Sequence, residues 1–239
     1  MRGGADMQKL AEVVAEMKIP QRASSPPLPE REREAALDRV AERLAEALLC
    51  RGFSRQQLGH CFETFDRSRE PVAYQKALAC VENQQTLVLW GPYGTGKTHL
   101  ACAILRRHIE DCGQVTGIYT HRDATGIARF LPFGDLLRRV RATYGDDSES
   151  EQGILSRYWK VPILALDDVG NEAAKDPSFS QRIGYAMIDY RYRQELPMIL
   201  TTNCHPDKLA WHIGQAAVDR LFERGEFVEM RSKSYRRKK

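Results

Sequence analysis

TLVLWGPYGTGKT, residues 86–98, is an apolar run that passes directly into a glycine-rich turn and then into a helical pattern. The apolar part, residues 86–90, has the length and composition of a buried β-strand. The remainder matches G-x-x-x-x-G-K-[ST], in which glycines let backbone N–H groups converge on phosphates at the positive N-terminus of the next helix. The order of strand, glycine turn and helix therefore predicts a loop that holds the phosphates of a nucleotide.

The predicted phosphate loop supplies residues expected to bind ATP and Mg²⁺. Lys97 is expected to reach the β- and γ-phosphates, and the hydroxyl of Thr98 is expected to bind Mg²⁺. The complete set of predicted nucleotide contacts is Gly91, Pro92, Tyr93, Gly94, Thr95, Gly96, Lys97, Thr98 and His99.

Two later strand patterns end in polar residues. Leu164-Ala165-Leu166-Asp167-Asp168 places acids at the carboxyl end of an apolar run, where a P-loop sheet carries its Mg²⁺ carboxylate. Asp167 is predicted to contact the metal's water shell, and Asp168 to be the general base that orients the attacking water. Asn203, which ends the strand pattern at 199–203, is predicted to help hold that water. The predicted catalytic residues from these motifs are Lys97, Asp167, Asp168 and Asn203.

Other P-loop classes match the sequence less well. Residues 167–170, DDVG, satisfy the D-x-x-G pattern of a GTPase, but no N-K-x-D motif follows. The L-S-G-G-Q signature of transporter ATPases is absent from the sequence. The arginines of residues 182–193 lie in a regular helical pattern, unlike the arginine-rich lid of a small-molecule kinase.

Helical and strand patterns alternate along residues 62–239, which we predict to form one α/β domain. Short apolar strands that alternate with helices indicate a parallel sheet covered on both faces. The predicted fold is a three-layer α/β/α sandwich with a five-stranded parallel sheet. Strands are predicted near residues 86–90, 115–120, 163–166, 198–201 and 227–230. Helices are predicted near residues 72–83, 97–111, 132–144, 178–194 and 216–223, with another after the acidic turn at 145–147.

Residues 1–61 are predicted to form a separate helical region. Two amphipathic helices, at 5–18 and 30–50, are joined by a proline-rich linker at 20–29. The apolar positions of the first are Leu10, Val13, Val14 and Met17, and those of the second are Leu37, Val40, Leu44 and Leu48. Both helices are consistent with packing on the body of the protein, although the linker favours an arm that docks on a partner.

The composition indicates a soluble, cytoplasmic protein. The 239 residues are 42% hydrophobic and 28% charged, and no apolar run approaches the ~20 residues that cross a bilayer. The 6 cysteines form no C-x-x-C pair, which argues against structural zinc and for a reducing compartment. The formal net charge is +4, and residues 231–239 are basic without an acid, either as a solvated tail or as a contact for nucleic acid.

With these motifs in place, residues 62–239 resemble the DnaC-type helicase loaders of the AAA+ class of P-loop ATPases. The resemblance lies in FETFD at 62–66, GPYGTGKTHLACAI at 91–104, ILALDDVG at 163–170, LTTN at 200–203, DRLFERG at 219–225 and SYRRKK at 234–239. The IstB-type transposition ATPases share most of these marks. Both families lack the C-terminal helical lid domain of other AAA+ proteins, which implies the same for this chain.

The resemblance also implies residues that act on neighbours and on DNA. Arg220 matches the arginine finger that reaches a neighbour's γ-phosphate, which implies an ATP-dependent homo-oligomer. Members of this clade insert a helix after the second strand that lines a channel for single-stranded DNA, and residues 121–144 match that position. The predicted DNA contacts are Arg138, Arg139 and Arg141, with Phe133 and Tyr144 as stacking partners.

The resemblance implies an ATPase that delivers a replicative helicase onto single-stranded DNA and is stimulated by DNA or by the partner. Hydrolysis is expected to be slow, because Asp168 is one methylene shorter than the Glu usual at this position among AAA+ proteins. One alternative is an IstB-type transposition helper that assembles on duplex DNA and recruits a transposase. Another is a non-hydrolysing adaptor whose ATP binding gates contact with its partner. The preferred form of DNA separates the first two, and steady-state hydrolysis separates both from the adaptor.

Overall fold

A five-stranded parallel β-sheet forms the centre of the computed structural model, which describes residues 30–116, 127–145, 149–171 and 177–235. The strands are β1 (Thr86–Trp90), β2 (Ala128–Pro132), β3 (Ile163–Val169), β4 (Met198–Thr202) and β5 (Gly225–Glu229). They lie in the order β2-β3-β4-β1-β5, and each neighbouring pair is parallel. Because parallel strands end at one edge of the sheet, the residues that follow β1, β3 and β4 lie side by side there.

Helices cover both faces of this sheet. They are α1 (Glu30–Cys50), α2 (Pro71–Asn83), α3 (Lys97–Thr116), α4 (Phe133–Ala142), α5 (Glu151–Trp159), α6 (Pro177–Arg193), α7 (Pro206–Ile213) and α8 (Gln215–Arg224). Leu87 and Leu89 of β1 belong to the hydrophobic cluster with α1, α2 and α3, whereas Val88 belongs to the cluster with α4 to α8. Side chains alternate between faces with the period of a strand. The predicted three-layer sandwich with five parallel strands is confirmed.

The second strand lies later in the chain than the pattern predicts. The strand predicted near residues 115–120 is wrong in its described part, because α3 continues through Thr116; residues 117–120 lie outside the described residues. The strand is instead β2, which pairs with β3 at the edge of the sheet. Pro132, which has no N–H, is compatible with an edge strand. A short run of β-branched residues, such as the one near 115–120, is compatible with a helix end or with a strand. Which segment becomes the second strand is therefore decided by pairing with β3.

Helix α7 is not among the predicted elements. Its first residue is Pro206, whose missing N–H is not needed at a helix start, and Gly214 follows its last residue. Gly214 has a φ of 84°, a left-handed conformation that ends α7 before α8 begins. Pro206 and Gly214 therefore mark the start and the end of α7, a helix that the spacing of apolar residues alone did not indicate.

Helix α1 packs onto the sheet layer. Leu44 and Leu48 are buried in the same hydrophobic cluster as Leu105 and Phe130. The N–H of Phe130 also donates to the carbonyl oxygen of Arg51 at 2.8 Å, which ties the chain after α1 to β2. The second predicted amphipathic helix is therefore confirmed, and its apolar face is covered by the body of the protein.

Part of the predicted N-terminal region cannot be compared with the structure. The helix at 5–18, the linker at 20–29 and the side chain of Leu37 lie outside the described residues. The division into regions 1–61 and 62–239 stays a prediction. Within the described ranges, no helix is both long and apolar enough to span a lipid bilayer.

Candidate nucleotide site

The predicted phosphate loop borders a cavity of about 600 Å³ at the carboxyl ends of β1, β3 and β4. Polar groups lie at the carboxyl end of each of these strands. They line one cavity because β3, β4 and β1 are adjacent in the sheet. The lining includes Lys97 and Thr98 after β1, Asp167 and Asp168 on β3, and Thr201 and Asn203 on and after β4. Residues separated by about 70 and 35 positions in the sequence therefore meet in one site.

The path of the loop requires glycine at two positions. Gly91 has a φ of 133°, and a Cβ there would lie 2.2 Å from the carbonyl oxygen of Met230. Gly94 has a φ of 78°, and a Cβ there would lie 2.1 Å from Oγ of Ser234. Any side chain would collide with these neighbours and would also strain the left-handed backbone. The glycines of the motif thus allow close approach of the chain as well as exposure of its N–H groups.

Lys97 lies inside the curve of this loop and is only 7% exposed. Its Nζ donates to the carbonyl oxygens of Gly91 at 2.8 Å and Pro92 at 2.7 Å. Carbonyl oxygens carry partial rather than full negative charge, so these bonds orient the ammonium without neutralising it. The arrangement places a positive charge where the loop would enclose phosphate.

Asp167 is a buried carboxylate held by two hydroxyl groups. Its Oδ1 accepts hydrogen bonds from Thr201 Oγ1 at 2.6 Å and from Thr98 Oγ1 at 3.0 Å. Burial raises the pKa of Asp167 above its ordinary value, although these hydrogen bonds and the charge of Lys97 act in the opposite direction. Thr201, which none of the sequence predictions names, therefore holds the predicted metal carboxylate together with Thr98.

The donor set around Asp167 fits Mg²⁺. The carboxylate of Asp167 and the hydroxyl of Thr98 are hard oxygen ligands. A nearby cation would also offset the free-energy cost of burying the negative charge of Asp167. In the described ranges no three His, Cys, Asp or Glu side chains cluster as a metal cage. Mg²⁺ commonly binds through one or two protein oxygens together with substrate phosphates and water, and the pair Thr98 and Asp167 suits that mode.

Asp168 points into the same cavity from an unusual backbone conformation. Its φ is 59°, and its N–H donates to Thr201 Oγ1 at 2.9 Å. Aspartate tolerates this left-handed region better than most residues. Its carboxylate accepts hydrogen bonds on both oxygens, from Asn203 Nδ2 at 2.8 Å and from Asn171 Nδ2 at 2.7 Å. The predicted base and the predicted water-holding amide are thus in direct contact.

His99 forms part of the cavity wall on the side of residues 54–66. Its Nε2 lies 2.9 Å from the carbonyl oxygen of Cys61, and its ring stacks on His60 with centroids 4.4 Å apart. Burial lowers the pKa of His99, while the contact with the Cys61 backbone opposes this change. His99 therefore joins α3 to the segment that precedes α2.

The segment Arg231–Tyr235 crosses the phosphate loop, which sequence reasoning did not predict. The N–H of Tyr235 donates to the carbonyl oxygen of Gly94 at 2.8 Å. The guanidinium of Arg69 lies 3.6 Å from the centre of the Tyr235 ring, and the N–H of Ser232 donates to Glu70 Oε1 at 2.6 Å. Tyr235 consequently forms another wall of the cavity.

Arg220 lies away from the phosphate loop of its own chain. On α8, its Nη2 is 2.7 Å from Asp189 Oδ1 and 3.2 Å from the hydroxyl oxygen of Tyr185. It lines a depression that also includes Thr86 and Pro197, at the amino ends of β1 and β4. Since the nucleotide cavity lies at the carboxyl ends, Arg220 could meet a γ-phosphate only on a neighbouring copy, and this role stays a prediction.

The arginines predicted to contact DNA are exposed on α4, and Tyr144 follows that helix with 60% exposure. Arg138 is paired with Asp135, and the guanidinium of Arg141 lies 4.8 Å from the centre of the Phe179 ring. The prediction that Phe133 stacks on a base is wrong, because its side chain is fully buried. Phe133 instead lies on the apolar face of α4, which packs on the sheet.

The sequence model of the IstB-like ATP binding protein family matches residues 33–239. The chain belongs to this family. The family description names ATP binding, in agreement with the phosphate loop and with Lys97 inside it. The resemblance derived from the sequence motifs is thereby confirmed.

Relatives of this IstB-like chain come from mobile elements and from replication. An insertion sequence IS232 putative ATP-binding protein of Bacillus thuringiensis subsp. berliner is 30% identical over 168 residues, 67% of this chain and 59% of that protein. The replicative helicase loader DnaI of Bacillus subtilis is 25% identical over 146 residues, 61% of this chain and 40% of that protein. The matched region thus spans less than two thirds of either relative.

The fold of this IstB-like chain is also that of solved loader structures. The DnaC helicase loader superposes with a TM-score of 0.59 at 24% identity, covering 75% of this chain and 100% of that chain. At this identity the likeness concerns the fold alone. It confirms the predicted AAA+ P-loop architecture.

Proposed function

We propose that this chain is an ATPase that delivers a replicative helicase onto single-stranded DNA. The observation that carries the ATPase assignment is the meeting of Lys97, Asp167 and Asp168 in one cavity at the carboxyl edge of the sheet. A cation for phosphate, a buried acid for a metal and a second acid for water are the groups that phosphoryl transfer to water requires. The choice of helicase as partner rests on the relatives and is tested separately.

Each group in the cavity has a defined part in the proposed hydrolysis. The loop N–H groups and Lys97 bind the β- and γ-phosphates. Thr98 and Asp167 would hold Mg²⁺, which when bound neutralises charge on the phosphate oxygens. Asp168, with Asn203 beside it, orients a water molecule and takes its proton as the water oxygen bonds to the γ-phosphorus. The bond from that phosphorus to the β,γ-bridging oxygen breaks, and ADP and inorganic phosphate leave.

Two variants test the ATPase assignment. Lys97→Ala should abolish hydrolysis and strongly weaken binding of ATP, because the phosphates lose their main cationic partner. Asp168→Asn should bind ATP normally but lower kcat by about 10²- to 10⁴-fold, because the amide cannot take a proton. Lys76→Ala, which removes a surface lysine paired with Glu226, is the control. Turnover at the wild-type rate in Lys97→Ala would disprove the ATPase assignment.

The proposal of single-stranded DNA rests on α4. Two helices, α4 and α5, rather than one occupy the crossover from β2 to β3, which supports an inserted helix at this position. The solvent face of α4 combines Arg138, Arg139 and Arg141 with exposed Tyr144 at its end. Basic and stacking groups on one surface are what a single strand needs.

The salt dependence of DNA affinity distinguishes a DNA site on α4 from a general effect of the protein's net charge. Changing Arg138, Arg139 and Arg141 together to Ala should weaken binding of an oligothymidylate and reduce the slope of log affinity against log salt, because fewer counterions are released. The control removes the same charge elsewhere, through Arg43→Ala, Lys76→Ala and Lys208→Ala. An unchanged affinity and slope in the α4 variant would place the DNA site elsewhere, with residues 231–239 the next candidate.

A second candidate function is that of a transposition helper that assembles on duplex DNA and recruits a transposase. It is favoured by the 30% identity with the IS232 protein over 67% of the chain. Both functions use the same ATP site, so the form of DNA decides between them. Tighter binding of a duplex than of a single strand of equal length, at one salt concentration, would replace the loader proposal by this one. ATP binding without any hydrolysis would favour the adaptor instead.

A further inference from the structure

A chain of hydrogen bonds leads from the phosphate loop to the carboxylate of Asp168. The hydroxyl of Tyr93 donates to Asn171 Oδ1 at 2.9 Å, and Asn171 Nδ2 donates to Asp168 Oδ2 at 2.7 Å. From the other side, Asn203 Nδ2 donates to Asp168 Oδ1 at 2.8 Å. These four side chains all line the nucleotide cavity. The carboxylate is therefore held by one amide on each oxygen.

The two amides together restrict a rotation that one amide would leave free. The terminal torsion of an aspartate side chain is broad, so a carboxylate held through one oxygen still pivots about its Cβ–Cγ bond. A second donor on the other oxygen defines the plane of the carboxylate. An ionised carboxylate has about four lone-pair sites, so two amide donors still leave sites for a water molecule.

The other end of the Asn171 amide is held by Tyr93. Only the nitrogen of that amide attracts a carboxylate, since its oxygen would be repelled. The carboxylate therefore selects the orientation of the amide, and the hydroxyl of Tyr93, which donates to the amide oxygen, holds the amide in that orientation. Asn171 is exposed, so hydrogen bonds rather than packing define its position. Because Tyr93 belongs to the phosphate loop, the loop and the carboxylate are connected through this one side chain.

We propose that Asn171 is a positioning residue for Asp168, and that Tyr93 holds the Asn171 amide in place. The inference rests on the ATP hydrolysis proposed above, because Asn171 acts only through the general base. It extends the site by a residue that none of the phosphate-loop or strand-end motifs contains.

The test compares steady-state ATP hydrolysis by the full chain and its variants. Asn171→Ala should lower kcat about tenfold, because a misplaced reacting group loses much of its effectiveness. KM for ATP should stay within about twofold, since the phosphate contacts are intact. Asn171→Asp, nearly the same size but without the donor, should lower kcat at least as much. Gln215→Ala is the matched control, because it removes an exposed amide that donates to Asp219 Oδ1 at 2.8 Å on α8.

A double variant separates positioning from a general loss of structure. Tyr93→Phe should lower kcat less than Asn171→Ala does, and it should have no further effect in the Asn171→Ala background, because it acts through Asn171. Additive effects, or a fall in Tm that parallels the fall in kcat, would instead show a structural role and overturn the proposal.

Three other results would also overturn it, and they are distinguishable. An unchanged kcat in Asn171→Ala, with wild-type hydrolysis intact, would show that Asn203 positions Asp168 without help. A higher kcat would show that Asn171 restrains the base. Absence of hydrolysis in the wild type, with ATP still bound, would reject the proposed ATPase function itself and the positioning role with it.

Discussion

The backbone N–H of Tyr235 donates a hydrogen bond to the carbonyl oxygen of Gly94 at 2.8 Å, which fastens the segment after β5 to the phosphate loop. The Tyr235 ring is covered on one side by the guanidinium of Arg69, from the segment just before α2. Residues that are 141 and 166 positions apart in the sequence thus enclose one wall of the nucleotide cavity. Occupancy of the cavity should therefore depend on the Tyr235 side chain.

Tyr235→Ala should weaken ATP binding severalfold, because it removes a wall of the cavity and a cation–π contact of about 0.5–1 kcal/mol. Equilibrium binding of a fluorescent ATP analogue measures this. Tyr185→Ala is a matched control, since both tyrosines are 38% exposed and both lie under an arginine, but Tyr185 does not line the cavity. Equal affinities of the two variants would mean that the segment 231–235 does not contribute to nucleotide binding.

Asp167→Asn should raise the Tm of the nucleotide-free protein at pH 7. The carboxylate of Asp167 is only 7% exposed, and burying its charge opposes folding, whereas an asparagine oxygen still accepts from Thr201 and Thr98. Mg²⁺ and ATP should then raise the Tm of the variant less than that of the wild type, because binding is weaker. Asp207→Asn, at a side chain 85% exposed, is the control for loss of one negative charge. A lower Tm in Asp167→Asn would show that the fold itself needs the carboxylate.

Arg220→Ala should leave ATP binding by the monomer unchanged and remove hydrolysis stimulated by DNA. The reason is that Arg220 lies near the amino ends of the strands, whereas its own nucleotide cavity lies at their carboxyl ends. There Arg220 Nη2 is 2.7 Å from Asp189 Oδ1. If it acts on a neighbour, a mixture of Arg220→Ala and Lys97→Ala proteins should regain part of the activity. Each variant then supplies the group that the other lacks.

The control for this experiment is Arg224→Ala on the same helix. Arg224 also forms an ion pair, with Glu195 at 3.0 Å, but it is not matched to the arginine finger. A mixture of Arg224→Ala and Lys97→Ala proteins should have the same ATPase activity as a mixture of wild-type and Lys97→Ala proteins. A lack of rescue in an oligomer shown to exchange subunits would argue against a shared site.

Deleting residues 1–29 should leave the Tm unchanged and abolish capture of the helicase, if the predicted helix at 5–18 is the docking arm. A longer deletion, 1–52, should destabilise the protein, because it removes Leu44 and Leu48 from the core, where truncating one such leucine costs about 2–5 kcal/mol. Thermal melts and a pull-down with purified helicase measure both effects.

Point variants of the full chain test the same arm without truncation. Leu10→Asp with Val14→Asp should reproduce the loss of capture, because both positions lie on the predicted apolar face. Gln8→Asp with Ala15→Asp adds the same residues to the opposite face and should bind normally. Undiminished capture by the Leu10 and Val14 variant would place the docking surface on the ATPase domain and strengthen the transposition alternative.

Lys97 and Asn171 differ in how much of their role is encoded by neighbouring residues. Lys97 was predictable because its motif is contiguous, and the glycines, the strand before it and the helix after it are all adjacent in sequence. Asn171 lies three residues after Asp168, but its contact with Tyr93 joins it to the phosphate loop 78 positions earlier in the sequence. A lone asparagine after a strand is an ordinary turn residue. No local pattern distinguishes it.

Local sequence patterns predicted the phosphate loop, four of the five strands and the acids at the end of β3, because strand and glycine-turn signals reside in neighbouring residues. Contacts between remote segments were needed to show that β2 is residues 128–132, that Phe133 is buried, that Thr201 holds Asp167 and that the N–H of Tyr235 bonds to Gly94. These features depend on the strand order β2-β3-β4-β1-β5, which sets distant residues side by side. Pairing between strands is a contact between remote segments, and its free energy depends on both segments and their neighbours rather than on either segment alone.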